Sequence, residues 1–536
     1  MGGGIRMNEG LNLFLQLAPE QIMRRLRRCG IEADPGAIGR PARRKDARES
    51  HTYSHGQDPA SYRQHYRVVI FNLAVLECQP LGAGAAMNAA FLGPVIGEGG
   101  YGGAGAGASG NRVNGAGAGG GRDGGNGTGV AGAAEYGERG YGGTGAGSDS
   151  GNSYGGAEIE GRDENSYEGT GARGNSGNSY GGAGGVSEMR GVAGAVRVTA
   201  VRALYSLGLD SGEVELRAMG GRRYVVTGIT PLMPVPGKPL PEPYRAASRE
   251  LARSLALEQP GRAGLLMGMD PEFLLLREST GRVVPASRYL PMDGAAGCDA
   301  GPPGTRGVFP VAELRPAPRG EPRALLAQLM SAAREADRLI ADRSLRWRAG
   351  GMPLRGWALG GHLHFSGVTL CAPLLRALDN YLALPMLLLE DVRAAARRPR
   401  YGVLGDFRRQ PHGGFEYRTL PSFLVSPVIA KGAVCLAHLI VSHYEELPLR
   451  PLDREKLHAA FYSGDKQPLR EAWPPLEAQL RALGGYAAAA SYIDPLLRSI
   501  AAQQTWDESR DIRGLWCGSA PSVSGARPAG PEDTFQ

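Results

Sequence analysis

The spacing of hydrophobic residues along the chain predicts a mixture of strands and helices. Apolar residues that alternate with polar ones predict strands, and apolar residues recurring every three or four positions predict helices. The predicted strands lie at residues 67–78, 196–205, 214–217, 222–229, 265–276, 283–287, 308–315, 360–367 and 414–420. The predicted helices lie at residues 19–28, 245–258, 322–347, 372–398, 427–446 and 451–502. Because the two kinds of element mix without a βαβ rhythm, the predicted class is α+β with an antiparallel sheet.

One segment departs from this pattern by its glycine content. Of the 83 Gly in the chain, 39 lie in residues 91–195. Within this segment a 13-residue spacing separates Tyr141, Tyr154, Tyr167 and Tyr180. A repeat of Gly, Ser, Asn and one Tyr has no apolar face to stack, so we interpret it as a disordered tandem expansion. Self-association through the tyrosines is the alternative.

These shifts in composition predict an interrupted small domain followed by a larger one. The small N-terminal α+β domain is predicted at residues 1–92 and 196–235. It is interrupted by the Gly-rich insertion, residues 93–195, and followed by a linker and helix, residues 236–260. We expect the larger domain at residues 261–517 and a disordered tail at residues 518–536.

Charge and cysteine content narrow the class of protein. The net charge is +7 and the isoelectric point is about 9.1, but charges of mixed sign make nucleic acid an unlikely partner and favour an enzyme that binds anionic substrates. The six scattered cysteines predict reduced thiols rather than a disulfide framework or a zinc site. We expect a cytoplasmic protein, since we find no secretory signal and no span suited to a membrane.

Four predicted strands each carry two chemically active side chains spaced two residues apart. Because side chains alternate across a strand, both members of each pair share a face. The pairs are Asp270 with Glu272, Glu313 with Arg315, His362 with His364, and Glu416 with Arg418. Desolvated carboxylates on one face need protons or cations, and an oxygen-rich site without Cys suits Mg²⁺ or Mn²⁺ better than zinc. Arg315, Arg408 and Arg418 then suit phosphate, which indicates phosphoryl-transfer chemistry with ATP.

Each pair also has a plainer interpretation. An acid pair can be a solvated face, a histidine pair an exposed edge, and a Glu-x-Arg pair a salt bridge on one face. Four such pairs beside Gly or Pro within apolar strands are less readily explained as separate coincidences. Cys298 beside Asp299 could be a nucleophile, but a small buried residue in a turn is the favoured interpretation.

These motifs resemble those of a known superfamily in the same order along the chain. GMDPEFLLL, GGHLHFSG and FEYRTLPS resemble the acid-Pro-acid, His-x-His and late Glu-x-Arg strands of glutamine synthetases. More closely, residues 268–444 resemble the phage phiEco32-like COOH–NH2 ligases, type 2, through GMDPEF, AELRP, GGHLHFSG, ALDNYLALP, YGVLGDFR and PHGGFEYRTLPSF. The resemblance implies a glutamine synthetase-like catalytic domain with a curved antiparallel sheet flanked by helices.

The resemblance also implies a role for each matching residue. Divalent-metal ligands would be Asp270, Glu272, Glu313, His362 and Glu416. His364, Arg315, Arg408 and Arg418 would bind the nucleotide or its phosphates, and Arg418, Arg408 and Glu272 would act in catalysis. Asp270 stands where glutamine synthetases have Glu, and their ammonium-site loop has no obvious counterpart here.

The predicted function is therefore an ATP- and Mg²⁺-dependent ligase that joins a carboxylate to an amine through an acyl phosphate. Its partners would be small-molecule or peptide carboxylates and amines, and a homo-oligomer is possible. Two alternatives stay open: a metal-dependent hydrolase that uses the His-x-His and carboxylate site, and a non-catalytic binding protein on an amidoligase scaffold.

Overall fold

The structure, a computed structural model, describes residues 7–35, 64–81, 184–220, 223–258, 261–302, 304–305, 307–411 and 413–518. They belong to one compact unit of the chain. The tyrosine repeat, most of the Gly-rich insertion and nearly all of the predicted tail lie outside these residues. The predicted domain boundaries stay a prediction.

The described residues form helices and strands throughout. The helices are α1 (Leu11–Gln16), α2 (Pro19–Arg28), α3 (Gly184–Ser206), α4 (Tyr244–Ala256), α5 (Pro322–Leu339), α6 (Ala372–Leu378), α7 (Leu384–Leu389), α8 (Pro427–His443), α9 (Glu455–Ser463), α10 (Lys466–Ala482), α11 (Tyr486–Ala501) and α12 (Arg513–Cys517). The strands are β1 (Glu32–Ala33), β2 (His65–Phe71), β3 (Ala74–Leu81), β4 (Gly212–Gly220), β5 (Arg223–Pro231), β6 (Leu266–Arg277), β7 (Arg282–Val284), β8 (Ala296–Asp299), β9 (Val311–Leu314), β10 (Leu345–Arg348), β11 (Gly361–Ser366), β12 (Phe407–Arg409) and β13 (Phe415–Tyr417).

The strands form two sheets. The smaller sheet has the order β1-β5-β4-β2-β3, in which only β1 and β5 pair in parallel. The larger sheet is antiparallel throughout and has the order β12-β13-β11-β6-β9-β8, with β10 and β7 paired to the far end of β6. The predicted α+β class with an antiparallel sheet is confirmed.

The long strand β6 is the centre of the larger sheet. Its first half pairs with β11, and its second half pairs with β10 on one side and β7 on the other. Strand β9 pairs with the middle of β6, from Glu272 to Leu274. A twelve-residue strand can pair with four neighbours in this way, so acidic residues in its middle meet partners from both sides.

Helix α3 corrects the predicted strand at residues 196–205. Its buried residues include Val196, Ala200, Ala203 and Leu204, which recur at the helical spacing of three and four. Seen only as apolar and polar letters, the same stretch also fits alternation, because β-branched residues are frequent in it. The spacing of the buried residues shows which period the fold uses.

Two predicted helices are shorter than expected. The helix predicted at residues 322–347 ends at Leu339, and residues 345–348 instead form β10, where Leu345 and Trp347 are buried in alternation. The helix predicted at residues 372–398 changes to one π-helical turn at Asp379–Ala383 and ends at Leu389. A 3₁₀ segment, Val392–Arg397, follows it.

The most apolar helical stretches lie in the protein core. Within the described residues, Ala372–Leu389 and Pro427–Glu446 are long and apolar enough to cross a membrane, and they are 94% and 72% buried. Such burial is typical of core helices. Shorter 3₁₀ turns at Ala286–Arg288, Phe423–Val425, Tyr444–Glu446 and Pro451–Asp453 connect the remaining elements.

The close packing of α8 against α11 yields a test of the core. A Cβ atom at Gly432 would lie 2.6 Å from the Cβ atom of Leu496. We therefore expect Gly432→Ala to destabilise the protein by about 1–3 kcal/mol, as overpacking does. Chemical denaturation measures the effect. Gly484→Ala is the matched control, since a Cβ atom there would contact nothing within 4 Å. Equal stability of the two variants would contradict the packing described.

Candidate active site

Strand register brings the four predicted pairs onto one face of the larger sheet. In antiparallel strands, residues directly opposite each other lie on the same face. The opposed residues are His362 with Asp270, Glu272 with Glu313, His364 with Glu416, and Arg408 with Glu416. Side chains that are far apart in the sequence therefore meet above β6, β11 and β13.

The most tightly clustered group contains two carboxylates and two histidines. His364 Nε2 lies 3.0 Å from Asp270 Oδ2. His362 Nδ1 lies 3.2 Å from Asp270 Oδ1 and 3.3 Å from Glu416 Oε1. Ligand atoms of Asp270, His364 and Glu416 all lie within 4.8 Å of one another, a separation that suits one metal ion. His364, which the resemblance places beside the nucleotide, thus also adjoins the predicted metal ligands.

The atoms of this cluster fit a divalent cation. Glu416 is completely buried. Among the described residues, Asp270 Oδ1, His364 Nε2 and Glu416 Oε1 are buried and find no partner with hydrogen-bond geometry. Leaving buried polar atoms unsatisfied costs free energy. Two carboxylates and imidazole nitrogens are donors that Mn²⁺ and Mg²⁺ accept in proteins.

The carboxylates of this face differ in their affinity for protons. Burial opposes ionisation of Asp270, but the charges of His362 and His364 outweigh it and hold the pKa of Asp270 well below its usual range. Burial, which would lower the pKa of His362, is outweighed by Asp270, so that pKa is raised. Burial raises the pKa of Glu272. Burial, together with the charge of Asp270, raises the pKa of Glu313 to about 10.

Glu272 is anchored to the chain that leads into β11. Its Oε2 atom accepts a 2.7 Å hydrogen bond from the Gly360 N–H group, and its own N–H group donates to the Gly360 carbonyl oxygen at 3.0 Å. A Cβ atom at Gly360 would lie 2.2 Å from His362 Nε2, and one at Gly361 would lie 2.5 Å from the carbonyl oxygen of Pro421. Both positions therefore require glycine.

Two arginines flank the buried Glu416. Arg408 Nε donates to Glu416 Oε2 at 2.6 Å, and Arg418 Nε lies 3.1 Å from Glu416 Oε1. The Arg408 side chain is 49% exposed, so solutes can reach it. A guanidinium group at the mouth of a buried cluster can bind phosphate in a bidentate manner.

Arg315 is arranged differently from these two arginines. It donates hydrogen bonds to Glu313 Oε2, to the Met292 carbonyl oxygen at 2.8 Å and to the Cys298 carbonyl oxygen at 3.3 Å. A Cβ atom at Gly297 would lie 2.1 Å from Arg315 Nη1. Arg315 thus contacts β8 and the chain before it as well as Glu313. This arrangement favours a role in positioning Glu313.

The structure adds residues that the sequence analysis did not assign to the site. Gln410 Nε2 donates to Glu416 Oε2 at 3.2 Å, and the exposed Asp299 acts through its charge on Glu272 and Glu313. Asp379 accepts a hydrogen bond from the Tyr417 hydroxyl group of β13, on the opposite face of the sheet. The sequence feature that could have identified Asp379 is a charged residue inside an apolar helical stretch. Cys298 is buried as expected, but it lies on β8 rather than in a turn.

A family model matches the part of the chain that contains this site. Residues 267–517 match the family model described as phage phiEco32-like COOH.NH2 ligase, type 2, which confirms the resemblance. No curated protein matches the chain.

Similar solved structures include a bifunctional glutathione synthetase from Pasteurella multocida, with 10% identity and a TM-score of 0.29 over 49% of this chain and 50% of that chain. This chain thus spans half the length of that synthetase. Ligand-free GmaS has 16% identity and a TM-score of 0.27 over 54% of this chain and 81% of its own. A GmaS–ADP complex has 15% identity and a TM-score of 0.26 over 53% and 78%. At these TM-scores the likenesses carry no conclusion about the site.

The raised pKa of Glu313 yields a pH-dependent prediction for the metal-free protein. Folded Glu313 keeps its proton up to about pH 10, whereas an unfolded glutamate loses it near pH 4.3. The folded state binds more protons between these values, so the free energy of unfolding falls as pH rises, by at most about 1.4 kcal/mol per pH unit. Glu313→Gln cannot ionise and should lose less stability.

Denaturation curves at roughly pH 6 and pH 9 measure this difference. Glu278→Gln is the control, because it removes an exposed carboxylate just after β6. If the Glu313→Gln variant and the unmodified protein lost stability in parallel, the protonated state of buried Glu313 would be contradicted.

Proposed function

We propose, because residues 267–517 match the family model of the phage phiEco32-like COOH–NH2 ligases, type 2, that the protein joins a carboxylate to an amine at the expense of ATP. The observation that carries this proposal is the cluster of Asp270, His364 and Glu416, which lies next to Arg408 and Arg418. Each residue of the cluster has a buried atom that could ligate a metal and that has no hydrogen-bond partner. Such a face can bind cations and phosphate at the same place.

The reaction begins with a chemical difficulty that ATP removes. A carboxylate is a poor acylating agent, since oxide is not a leaving group. Transfer of the γ-phosphoryl group to a carboxylate oxygen gives an acyl phosphate and ADP. An amine then attacks the acyl carbon, the bond to the phosphate oxygen breaks, and inorganic phosphate leaves with the amide formed. Positioning and charge neutralisation supply most of the catalysis for such transfers.

The residues of the chain divide this work by their charge. Arg408 and Arg418 bind the transferred phosphoryl group, and His364 lies beside the nucleotide. Mg²⁺ or Mn²⁺ held by Asp270, Glu272, Glu313, His362 and Glu416 would neutralise phosphate oxygens and orient the acceptor carboxylate. Arg315 keeps Glu313 in place through a hydrogen bond from its Nη2 atom.

No covalent enzyme intermediate is needed. Cys298, which lies beside Asp299 on β8, is 1% exposed, and burial raises its pKa. Reactive cysteines have the opposite properties. We infer that the substrates are small molecules or peptides carrying a free carboxylate and a free amine, and we retain the homo-oligomer as a hypothesis.

The first test is ADP release in the presence of Mg²⁺, ATP and pools of amino acids or peptides. We expect at least one pool to stimulate ADP release, and Glu272→Gln to lower the stimulated rate by at least about 100-fold, as expected for loss of a charge-stabilising group. Glu278→Gln is the matched control on the exposed continuation of β6 and should retain the rate.

The two alternatives predict different behaviour. A metal-dependent hydrolase would turn over without ATP and would prefer zinc. A non-catalytic binding protein would keep its function in Glu272→Ala and Glu416→Ala variants. If no pool raises ADP release above the Glu272→Gln variant, the ligase proposal fails.

The second test measures Mn²⁺ binding by calorimetry without substrates. Asp270→Asn and Glu416→Gln each remove a charged donor from the cluster, so we expect the dissociation constant to rise at least about tenfold. Asp299→Asn removes an exposed carboxylate outside the clustered donors and should have a smaller effect. Unchanged Mn²⁺ affinity in both Asp270→Asn and Glu416→Gln would exclude the proposed metal site.

A further inference from the structure

A buried carboxylate lies behind the part of the sheet where Arg408 and Arg418 flank Glu416. Asp379 is 3% exposed and begins the π-helical turn between α6 and α7. Its Oδ1 atom accepts a 2.8 Å hydrogen bond from the Tyr417 hydroxyl group, and its Oδ2 atom accepts a 2.7 Å bond from the Tyr205 hydroxyl group. Oδ1 also accepts from the Gly405 N–H group at 3.1 Å.

Each of these bonds leads to a different segment near the site. Tyr417 lies on β13 between Glu416 and Arg418, so its side chain points to the opposite face from theirs. Gly405 belongs to the turn that leads directly into β12, which carries Arg408. One carboxylate thus holds both arginine-bearing strands from behind.

The turn before β12 is also tied to β13 and to α3. The Arg418 N–H group donates to the Asp406 carbonyl oxygen at 2.9 Å, and Arg202 on α3 lies 3.4 Å from Asp406 Oδ1. Gly405 has a φ of +67°, and a Cβ atom there would lie 2.1 Å from the Tyr205 ring. The close approach of Tyr205 therefore depends on glycine at this position.

We propose that Asp379 is a positioning residue for the candidate active site. Through Tyr417 and Gly405 it fixes the separation of β12 and β13, and so it holds the guanidinium groups of Arg408 and Arg418 against Glu416. Tyr205 supplies a third bond to the same carboxylate, which makes α3, a helix outside residues 267–517, part of the support of the site. The catalytic role of the arginines rests on the proposed function; the positioning of their strands does not.

The test compares three variants with one control. Asp379→Asn weakens the acceptor, whereas Tyr417→Phe and Tyr205→Phe each remove one hydroxyl group. Tyr381→Phe is the control, since it removes a hydroxyl group from the same π-helical turn. That hydroxyl group donates to Gln479 and accepts from the Leu449 N–H group, and so it does not contact Asp379. The hydroxyl variants decide the question if Asp379→Asn does not fold.

Hydrogen exchange of the substrate-free protein is the first measurement. We expect Asp379→Asn and Tyr417→Phe to speed exchange at least about tenfold in peptides covering residues 403–418, and to leave residues 266–277 unchanged. Tyr381→Phe should leave residues 403–418 unchanged. Unaltered exchange at residues 403–418 in a folded Tyr417→Phe variant would overturn the proposal, whether or not the protein is a ligase.

The second measurement is Mn²⁺ affinity, followed by ADP release. We expect the dissociation constant for Mn²⁺ to rise about tenfold in Tyr417→Phe and less in Tyr205→Phe. The double variant Asp379→Asn with Tyr417→Phe should lose less Mn²⁺ affinity than the sum of the two single losses, because both substitutions affect the Tyr417–Asp379 hydrogen bond. An equal loss in Tyr381→Phe would overturn the proposal. Absence of ADP release by the unmodified protein would instead refute the proposed function.

Discussion

The burial of four carboxylates on one face of an antiparallel sheet is the constraint on which the site depends. Charged groups in a region of low dielectric need partners, protons or cations. Asp270 and Glu416 are surrounded by two histidines and two arginines, whereas Glu313 keeps its proton to about pH 10. The face therefore combines two carboxylates, Asp270 and Glu416, whose charges have partners within the protein, with Glu313, which needs a bound cation to lose its proton at neutral pH.

The side chains that share a face were predictable from the sequence because alternation along a strand is local. The pairing of strands was not, since it depends on contacts between distant segments. Register places Glu416 opposite His364, and Glu416 Oε1 also lies 3.3 Å from His362 Nδ1. Both histidines also lie close to Asp270, so one cluster gathers residues to which the resemblance gives separate metal and nucleotide roles.

The wrong predictions share one physical cause. Residues 196–205 and 345–348 contain apolar residues that fit either a period of two or a period near 3.6, and short apolar runs do not distinguish them. The structure buries Val196, Ala200 and Ala203 along one side of α3, and Leu345 with Trp347 on one side of β10. Which residues meet the core is a property of tertiary packing, and this packing overrides the local pattern.

The support behind the sheet shows what a sequence motif leaves out. In the sequence Asp379 is a charged residue within an apolar stretch, but its three partners come from three separate segments. Hydroxyl and amide donors satisfy this carboxylate. The charge of Arg376 also acts on it, although within the described residues no cationic side chain forms an ion pair with it. These hydrogen bonds reach β13 and the turn before β12 from behind the sheet, whereas Arg408 and Arg418 are the charge partners of Glu416 in front. Support of the strands and neutralisation of Glu416 thus come from different residues.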